Sequence, residues 1–416
     1  MWGSLFVDIS VRKLYTYVRN ILKETVMNYY KPLATLRHKI IVGILGASRV
    51  LHKVTKGKRP KFLFSANTDL SYVGSNLKIL KKTEDEVEIA KVDKNGNIDN
   101  SDFKILTATD LHLGSPGARL NNKTIDRFVR QIRDEKPDLV IITGDCILSD
   151  CQHIDSVQFS WMMEKLGVYW AYTFGNHETR EEKGFYKYQL LRGMQYYPHC
   201  LTLFGKEELF GFGNTALHIK NADGSYYKSL YLIDSGRDMI EEYNISHNVP
   251  KELWSDTYDF VKQGQIDWYT ENMKKTLAVS PENKSICYMH IPVKEYEYIC
   301  DEHGQYDYRD SGKTKILYGT QYESVGSSYY NSGFFTEGKE KARLQAIFSG
   351  HDHINDLCAI YEDVYLVYTQ CTGYNTYNMT EKLNFPEKDC HYGVTLTTLH
   401  KDGTITVEPK KNNKYI

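Results

Sequence analysis

The chain has 416 residues, 41% hydrophobic and 25% charged, so it can bury a large core and does not have the composition of a disordered protein. The net charge of −1 hides an asymmetry, because residues 1–61 hold thirteen Lys or Arg against only Asp8 and Glu24. Their balance of +11 leaves 12 net negative charges on the remainder, which argues against long nucleic acid as a partner. The eight cysteines lack Cys-x-x-Cys spacing, which favours free thiols in a reducing compartment.

Residues 1–60 are predicted to form a basic helical extension. Apolar residues recur at helical spacing from Leu14 to Val26 and, after Pro32, from Leu33 to Val54. Such helices can bind an anionic membrane surface, where each basic residue contributes about 1 kcal/mol, or they can pack on the rest of the protein or on another subunit. No apolar run approaches the roughly 20 residues that a spanning helix needs. We therefore expect a cytoplasmic protein that can make peripheral membrane contact through residues 1–60.

Residues 61–101 are predicted to form a β extension that packs on the core. Strand patterns occur at Leu77–Leu80 and Val87–Val92, and Asn95-Gly96 indicates a turn towards the next strand. The remaining residues, 102–416, are predicted to form one large domain.

Five short runs of metal-binding residue types follow predicted strands in that domain. The strand patterns end at residues 109, 143, 174, 289 and 349, and the runs are Asp110-Leu111-His112, Gly144-Asp145, Gly175-Asn176-His177-Glu178, Met289-His290 and Gly350-His351-Asp352-His353. Helical patterns at 125–132 and 157–166 separate the first three strands in a βαβαβ order. Because open α/β sheets place their sites at the C-terminal edge of the strands, we expect the five runs to meet there.

Each run has a simpler explanation when it is taken alone. An Asp-x-His after a strand is usually a cap or turn, with roughly one chance in ten of binding metal, and a lone histidine such as His290 is more often structural. The order and spacing outweigh these explanations, because Asp110 to Asp145 is 35 residues and Asp145 to Asn176 is 31, each the length of one strand and helix unit. Carboxylate, imidazole and amide ligands without thiolate suit Fe, Mn or Zn. Asp145 is the candidate for a ligand shared between two ions roughly 3.5–4 Å apart.

These runs resemble those of the calcineurin-like metallophosphoesterase superfamily, over about residues 102–375. Three longer strings resemble its purple-acid-phosphatase-like branch, which includes fungal and plant phosphatases: His290-Ile-Pro-Val-Lys-Glu-Tyr296, Asn331-Ser-Gly-Phe-Phe335 and Gly350-His-Asp-His-Ile-Asn-Asp356. The resemblance implies an α/β fold, classed as α+β by some schemes. Two facing sheets with helices outside would form a four-layer αββα sandwich, with the basic helical extension at its N-terminus.

The resemblance also implies a site with two divalent or mixed-valence ions of Mn, Fe or Zn. The first ion would be held by Asp110, His112, Asp145 and His353. The second would be held by Asp145, Asn176, His290 and His351. His177 would then face the substrate and stabilise the phosphoryl oxygens or protonate the leaving alkoxide, while a hydroxide that bridges the metals attacks phosphorus.

Leu148 is a departure from the family pattern. True purple acid phosphatases carry a tyrosine three residues after the bridging aspartate, and its charge transfer to ferric iron gives the colour. We therefore expect a colourless enzyme. In protein phosphatases an acidic residue at this position orients the equivalent of His177, a role that Asp150 or Glu178 could take here.

The leading prediction is a phosphomonoesterase that acts on a small phosphorylated substrate or a phosphoprotein. One alternative is a phosphodiesterase on the same scaffold, acting on a cyclic nucleotide or a lipid head group, and another is a non-catalytic scaffold. The Tyr-rich segment between His290 and His351 is predicted to be a substrate-shaping lid. Arg180 or Arg309 could bind the phosphate through two hydrogen bonds.

Overall fold

A computed structural model of the protein describes residues 68–114, 118–149, 152–179, 187–239, 241–256, 258–299 and 313–415. The helical extension predicted at residues 1–60 lies outside the described residues, as do Asp150 and the two candidate phosphate ligands Arg180 and Arg309. Within the described ranges, fourteen strands form one nine-stranded and one five-stranded sheet.

The five-stranded sheet contains the first three strands predicted in the large domain. β3 (Phe103–Ala108), β4 (Leu139–Thr143) and β5 (Trp170–Thr173) are parallel neighbours, which confirms the βαβαβ order. On the other side of β3, β13 (Gly393–Leu399) and β14 (Ile405–Lys411) add antiparallel strands that the sequence patterns did not predict. The strand order is β14-β13-β3-β4-β5.

The nine-stranded sheet has the order β1-β2-β6-β7-β8-β10-β12-β11-β9. Its strands are β1 (Leu77–Lys82), β2 (Glu86–Lys91), β6 (Thr215–Lys220), β7 (Tyr226–Leu232), β8 (Ser285–Tyr288), β9 (Thr314–Tyr318), β10 (Leu344–Ser349), β11 (Cys358–Tyr361) and β12 (Val364–Tyr368). β7, β8, β10 and β12 are parallel, so the C-terminal ends of β8 and β10 lie side by side.

Helices cover the outer faces of both sheets. In chain order the helices are α1 (Ala118–Glu135), α2 (Gln152–Leu166), α3 (Lys187–Met194), α4 (Glu241–Ser246), α5 (Gln263–Val279), α6 (Phe334–Ala342) and α7 (Met379–Lys382). α1, α2 and α3 pack on the five-stranded sheet and α5 and α6 on the nine-stranded sheet, whereas α4 and α7 belong to smaller hydrophobic clusters. Short 3-10 helices occur at His177–Thr179, Lys251–Asp256, Lys294–Ile299, Glu387–Asp389 and Asn412–Tyr415. No helix in these ranges combines the length and the apolar character needed to cross a membrane.

The alternation of side chains along β4 shows how the layers form. Leu139 and Ile141 belong to the hydrophobic core between the two sheets, whereas Val140 and Ile142 belong to the core beneath α1 and α2. A third core lies between the nine-stranded sheet, α5 and α6. Successive strand residues point to opposite faces, so a strand that is covered on both sides must be apolar throughout. The four-layer αββα arrangement is thereby confirmed.

Much of the predicted lid is regular structure instead. Thr314–Tyr318 forms β9, which pairs with β11, and Phe334–Ala342 forms α6 against the nine-stranded sheet. Tyr330 packs on Phe260 with ring centroids 4.9 Å apart. For β9 and α6 the lid prediction is wrong, because these segments belong to the nine-stranded sheet and to the helical layer that packs on it. Residues 300–312 lie outside the described ranges.

Candidate metal centre

The five polar runs meet at one edge of the two sheets, because backbone hydrogen bonds connect the loops that carry them. The N–H of Asp110 donates to the carbonyl oxygen of Gly144, and that of His112 donates to the carbonyl oxygen of Asp145. From the other sheet, the N–H of His351 donates to Oδ2 of Asp110 at 3.0 Å. The C-terminal edges of both sheets therefore contribute to one site, as their parallel strands predict.

Asp110, His112 and His353 form the first cluster. Oδ1 of Asp110 lies 3.5 Å from Nε2 of His112 and 3.2 Å from Nε2 of His353. The two Nε2 atoms are 3.1 Å apart, and all three side chains are at most 8% exposed. Within the described residues, Oδ1 of Asp110 is buried without a hydrogen-bond partner. These ligand atoms surround one point, as they would around a cation.

Asp145, Asn176, His290 and His351 form the second cluster. Nε2 of His290 lies 3.2 Å from Oδ2 of Asp145 and 3.0 Å from Oδ1 of Asn176. The same Asn176 oxygen is 3.1 Å from Nδ1 of His351. Oδ2 of Asp145 is also 3.6 Å from Nε2 of His112 in the first cluster. Asp145 therefore lies between the clusters, where a shared ligand has to be.

The electrostatics of this group fit the binding of cations. Burial raises the pKa of Asp110, but the neighbouring His353 and further histidines together hold it well below its usual value. Burial lowers the pKa of His290, but the carboxylate of Asp145 more than offsets this effect and raises that pKa to about 10. Buried carboxylates need a compensating positive charge. In the absence of metal, protonated histidine supplies that charge, and a metal ion would replace the proton.

Two of the predicted histidine ligands make a hydrogen bond through Nδ1, which leaves their Nε2 atoms directed into the site. Nδ1 of His290 lies 2.8 Å from the carbonyl oxygen of Thr143, to which it can only donate. Nδ1 of His353 lies 3.0 Å from the hydroxyl of Thr376. Such outer contacts fix ring orientation and leave Nε2 for a metal. Thr376 belongs to none of the five runs, so the sequence carried no signal for it.

Several predicted ligands have unusual backbone conformations. The φ angles of Asp110, His112, Asp145 and His351 are 53°, 45°, 48° and 77°, all in the left-handed region. Each such residue costs of order 1–3 kcal/mol and persists only where the surroundings enforce it. The loops therefore store strain at the ligands.

Two glycines permit the close approach of the loops after β4 and β5. A Cβ atom on Gly144, whose φ is +91°, would lie 2.7 Å from Nδ1 of His290. A Cβ atom on Gly175 would lie 2.1 Å from Oδ1 of Asp145. Real side chains do not tolerate such distances, so any other residue at either position would displace a predicted ligand.

The carboxylate of Glu178 ties the same two loops together. Its oxygens accept five hydrogen bonds, from the backbone N–H groups of Asp145, Cys146, Ile147 and Gly175 and from the hydroxyl of Tyr172. Burial, together with the charge of Asp145, raises the pKa of Glu178 to about 7. Both oxygens are thus used inside the protein, so Glu178 is a loop-positioning residue and not the group that orients the ring of His177. The other option, Asp150, lies outside the described residues.

His177 lies on the open side of the site. Its side chain is 36% exposed, whereas that of Asp145 is 1% exposed, and its Nε2 is 3.8 Å from Oδ2 of Asp145. Its backbone N–H donates to Oδ1 of Asp145 at 2.9 Å, and its ring packs edge to face on His112. A group held against the ligands and open to solvent can reach a bound substrate.

Sequence comparisons match this chain to a known family. A sequence model described as calcineurin-like phosphoesterase matches residues 103–355. A relative named "Probable inactive purple acid phosphatase 14" from Arabidopsis thaliana is 29% identical over 315 residues, which are 66% of this chain and 71% of that protein. "Phosphatase DCR2" from Saccharomyces cerevisiae is 27% identical over 287 residues, which are 62% of this chain and 45% of that protein. The solved structure of a dimetal phosphatase from Danio rerio is 13% identical and covers 74% of this chain and 96% of that chain, with a TM-score of 0.47.

Proposed function

The chain belongs to the calcineurin-like phosphoesterase family, and we propose that it is a phosphomonoesterase that depends on two metal ions. One observation carries the proposal: all seven predicted ligands are present and converge on two adjoining points, with His177 at the open side. A protein that had lost the activity would be free to lose these residues, and a strained set of buried ligands has no evident structural benefit.

The donor set indicates which residues would hold which ion. Asp110, His112 and His353 would hold the first, Asn176, His290 and His351 the second, and Asp145 would be shared. Fe, Mn or Zn suits this mixture of carboxylate, imidazole and amide. When bound, a pair of ions would lower the pKa of a coordinated water towards neutrality and offset the negative charge of the phosphoryl oxygens.

His177 would act on the substrate directly. The imidazole can donate a proton or a hydrogen bond to a phosphoryl oxygen or to the leaving oxygen, a contribution worth typically 100-fold or more in rate. Asp145 accepts a hydrogen bond from the His177 backbone N–H at 2.9 Å, so the backbone of His177 is held beside the shared ligand. A histidine anchored in this way needs no large rearrangement to reach a substrate.

A small phosphorylated molecule or a phosphoprotein is the substrate class that we favour. Residues 62–416 carry 12 net negative charges, which disfavour a long polyanion. The basic segment at residues 1–60 supports peripheral contact with an anionic membrane. A protein held at such a surface would act on a substrate located at or near the membrane. Binding to anionic vesicles should therefore disappear when residues 1–60 are deleted, and unchanged vesicle binding would refute this part of the proposal.

A non-catalytic role is the second candidate, because relatives such as the Arabidopsis thaliana protein carry the word "inactive" in their names. The two roles make different predictions for one experiment. The purified protein is stripped with a chelator, and Mn, Fe, Zn or Mg is then added back while bound metal and hydrolysis of p-nitrophenyl phosphate and bis-p-nitrophenyl phosphate are measured. Metal-dependent turnover with preference for the monoester supports the proposal. Preference for the diester favours a phosphodiesterase, and metal binding without turnover favours the non-catalytic role.

A further inference from the structure

Two tyrosines that belong to none of the sequence motifs pack on histidines of the metal centre. The ring of Tyr258 meets that of His351 at a centroid distance of 4.3 Å and an angle of 86°. The ring of Tyr377 meets that of His353 at 4.4 Å and 50°. Each tyrosine therefore covers one of the two histidines in the Gly350-His351-Asp352-His353 run.

Both tyrosines lie at the rim of the site. Each is half-buried, as is His351 beside Tyr258, whereas His353 beside Tyr377 is only 7% exposed. Burial raises the pKa of Tyr258, and the nearby Asp352 and Tyr377 raise it further. Tyr258 precedes α5 and Tyr377 precedes α7, so two distant segments of the chain contact the same Gly350-His351-Asp352-His353 run.

The charges around this rim restrict what it can receive. Carboxylates lie close to this rim: Asp352 lies between His351 and His353 in the chain, and Oδ1 of Asp110 is 3.2 Å from Nε2 of His353. Glu323 is held in place by the backbone N–H of Ile354, which donates to its carboxylate at 3.0 Å. A second negative charge on the substrate would be repelled here, whereas a neutral planar group could pack on the two rings.

On this geometry we propose that Tyr258 and Tyr377 are specificity-determining residues, the two walls of a groove that holds the ester substituent of the substrate. The preferred substrate is a phosphate monoester with a neutral aromatic group close to the phosphate. The proposal rests on the proposed function, since it places the phosphate at the metal centre with its substituent directed through the rim. The tyrosines act by packing on that substituent.

The test compares ligands that differ only in the aromatic group. Benzyl phosphate and methyl phosphate have leaving alcohols of nearly equal acidity, so their ratio of kcat/KM reports on the contact with the ring. Benzylphosphonate and methylphosphonate provide the same comparison by calorimetric binding to the metal-loaded protein, without turnover. The variants are Tyr258→Leu and Tyr377→Leu, each paired with the matching Phe variant, which keeps the ring.

Tyr226→Leu is the matched control. Tyr226 also packs edge to face on a buried histidine, His218, with centroids 5.4 Å apart, but that pair lies between β6 and β7 and outside both ligand clusters. Metal content is measured in every variant, because a purely structural role of the rim tyrosines would lower bound metal and affect both ligands equally.

The wild-type protein should prefer the benzyl compound in both assays. Each Leu variant at the rim should lower the benzyl to methyl ratio about three- to tenfold, the range of a typical aromatic contact, while the Phe variants and Tyr226→Leu keep it. Equal ratios in wild type and Leu variants would overturn the inference, even if turnover confirmed the phosphatase. If no turnover is found but the protein still binds benzylphosphonate more tightly than methylphosphonate, the proposed function is overturned and the groove is supported.

Discussion

Replacing Glu178 by Gln tests the positioning of the two ligand loops. The Gln carbonyl can still accept the three hydrogen bonds made to Oε1, but its NH2 group would face the N–H groups of Asp145 and Gly175, which donate to Oε2 at 3.0 and 2.7 Å. Two buried donors would lose their acceptor, and the loops that carry Asp145 and Asn176 would separate.

The net effect on stability is the difference of two terms. Each unsatisfied N–H costs about 1–3 kcal/mol, so the lost hydrogen bonds destabilise the variant by about 2–6 kcal/mol. In the wild type, burial holds the pKa of Glu178 at about 7 against an ordinary value of 4.5, and ionising it above pH 7 costs about 3 kcal/mol that Gln does not incur. We therefore expect Glu178→Gln to fold with a free energy of unfolding lowered by up to about 3 kcal/mol at pH 8.

The pH dependence of this difference has a defined sign. Because the pKa of the Glu178 carboxyl is higher in the folded state, this group contributes stability that is fully present below pH 4.5 and is lost as the pH rises through about 7. The Glu178→Gln variant lacks this carboxyl group, so its stability does not have this pH dependence. The destabilisation by Gln should thus be larger at pH 6 than at pH 8. Glu178→Leu leaves five donors without an acceptor, a cost of at least about 5 kcal/mol, and should not accumulate as folded protein.

Urea unfolding at both pH values and metal titration of the folded protein provide the assay. Metal affinity of Glu178→Gln should fall about 10- to 100-fold, as for other residues that support ligands. Glu282→Gln is the control, because that side chain is 91% exposed and pairs with Arg343 at the surface, so the change should stay within about 0.5 kcal/mol. Wild-type stability and metal affinity in Glu178→Gln would refute the role assigned to Glu178.

Four further substitutions and two conditions test the site. Asp145→Asn should lose metal and most activity, whereas His177→Ala should keep both metals and lower kcat about 100-fold or more; full activity in either variant would refute the assigned roles. Thr376→Val removes the hydroxyl that lies 3.0 Å from Nδ1 of His353. Metal binding, measured by competition with a chelator, should weaken about 10-fold or more. In the metal-free protein, burial lowers the pKa of His290, but the carboxylate of Asp145 more than offsets this effect and raises that pKa from 6.5 to about 10. The free energy of unfolding, measured with urea, should therefore decline as the pH rises from 6.5 to about 10. A stability that does not change over this pH range would contradict the prediction. The iron-loaded protein should be colourless in visible absorption, and Leu148→Tyr should produce a charge-transfer band if a phenolate at that position can reach the metal.

The ligands could be predicted because each one directly follows a buried strand. The apolar run in a strand such as Leu139–Thr143 indicates from the sequence both that the strand is buried and where it ends. Since β3 and β4 are parallel neighbours, their C-terminal ends lie side by side, which brings Asp145 beside Asp110. The structure places each predicted ligand within hydrogen-bond or near-contact distance of another. Local sequence was sufficient here because the loops from strand to ligand are short.

Other site residues could not be predicted, because they reach the centre from loops with no fixed spacing. Thr376, Tyr258 and Tyr377 approach from segments whose course depends on the packing of α5, α7 and the nine-stranded sheet. At Thr314–Tyr318 the lid prediction failed for a related reason: this segment is a sheet-edge strand, and its half-buried, mixed pattern resembles that of a polar loop. Tertiary contacts, rather than periodicity, decided these positions.

Counting bound metal in the wild type and in Asp145→Asn shows whether the two ligand clusters bind a pair of ions that share Asp145. Elemental analysis of metal-reconstituted protein, combined with hydrolysis of p-nitrophenyl phosphate by the same samples, should give two ions per chain and turnover for the wild type. Asp145→Asn should lose both, because the shared oxygen lies 3.2 Å from His290 and 3.6 Å from His112. A wild type that is active with one ion or none, or an Asp145→Asn variant that keeps two ions and full turnover, would contradict the account.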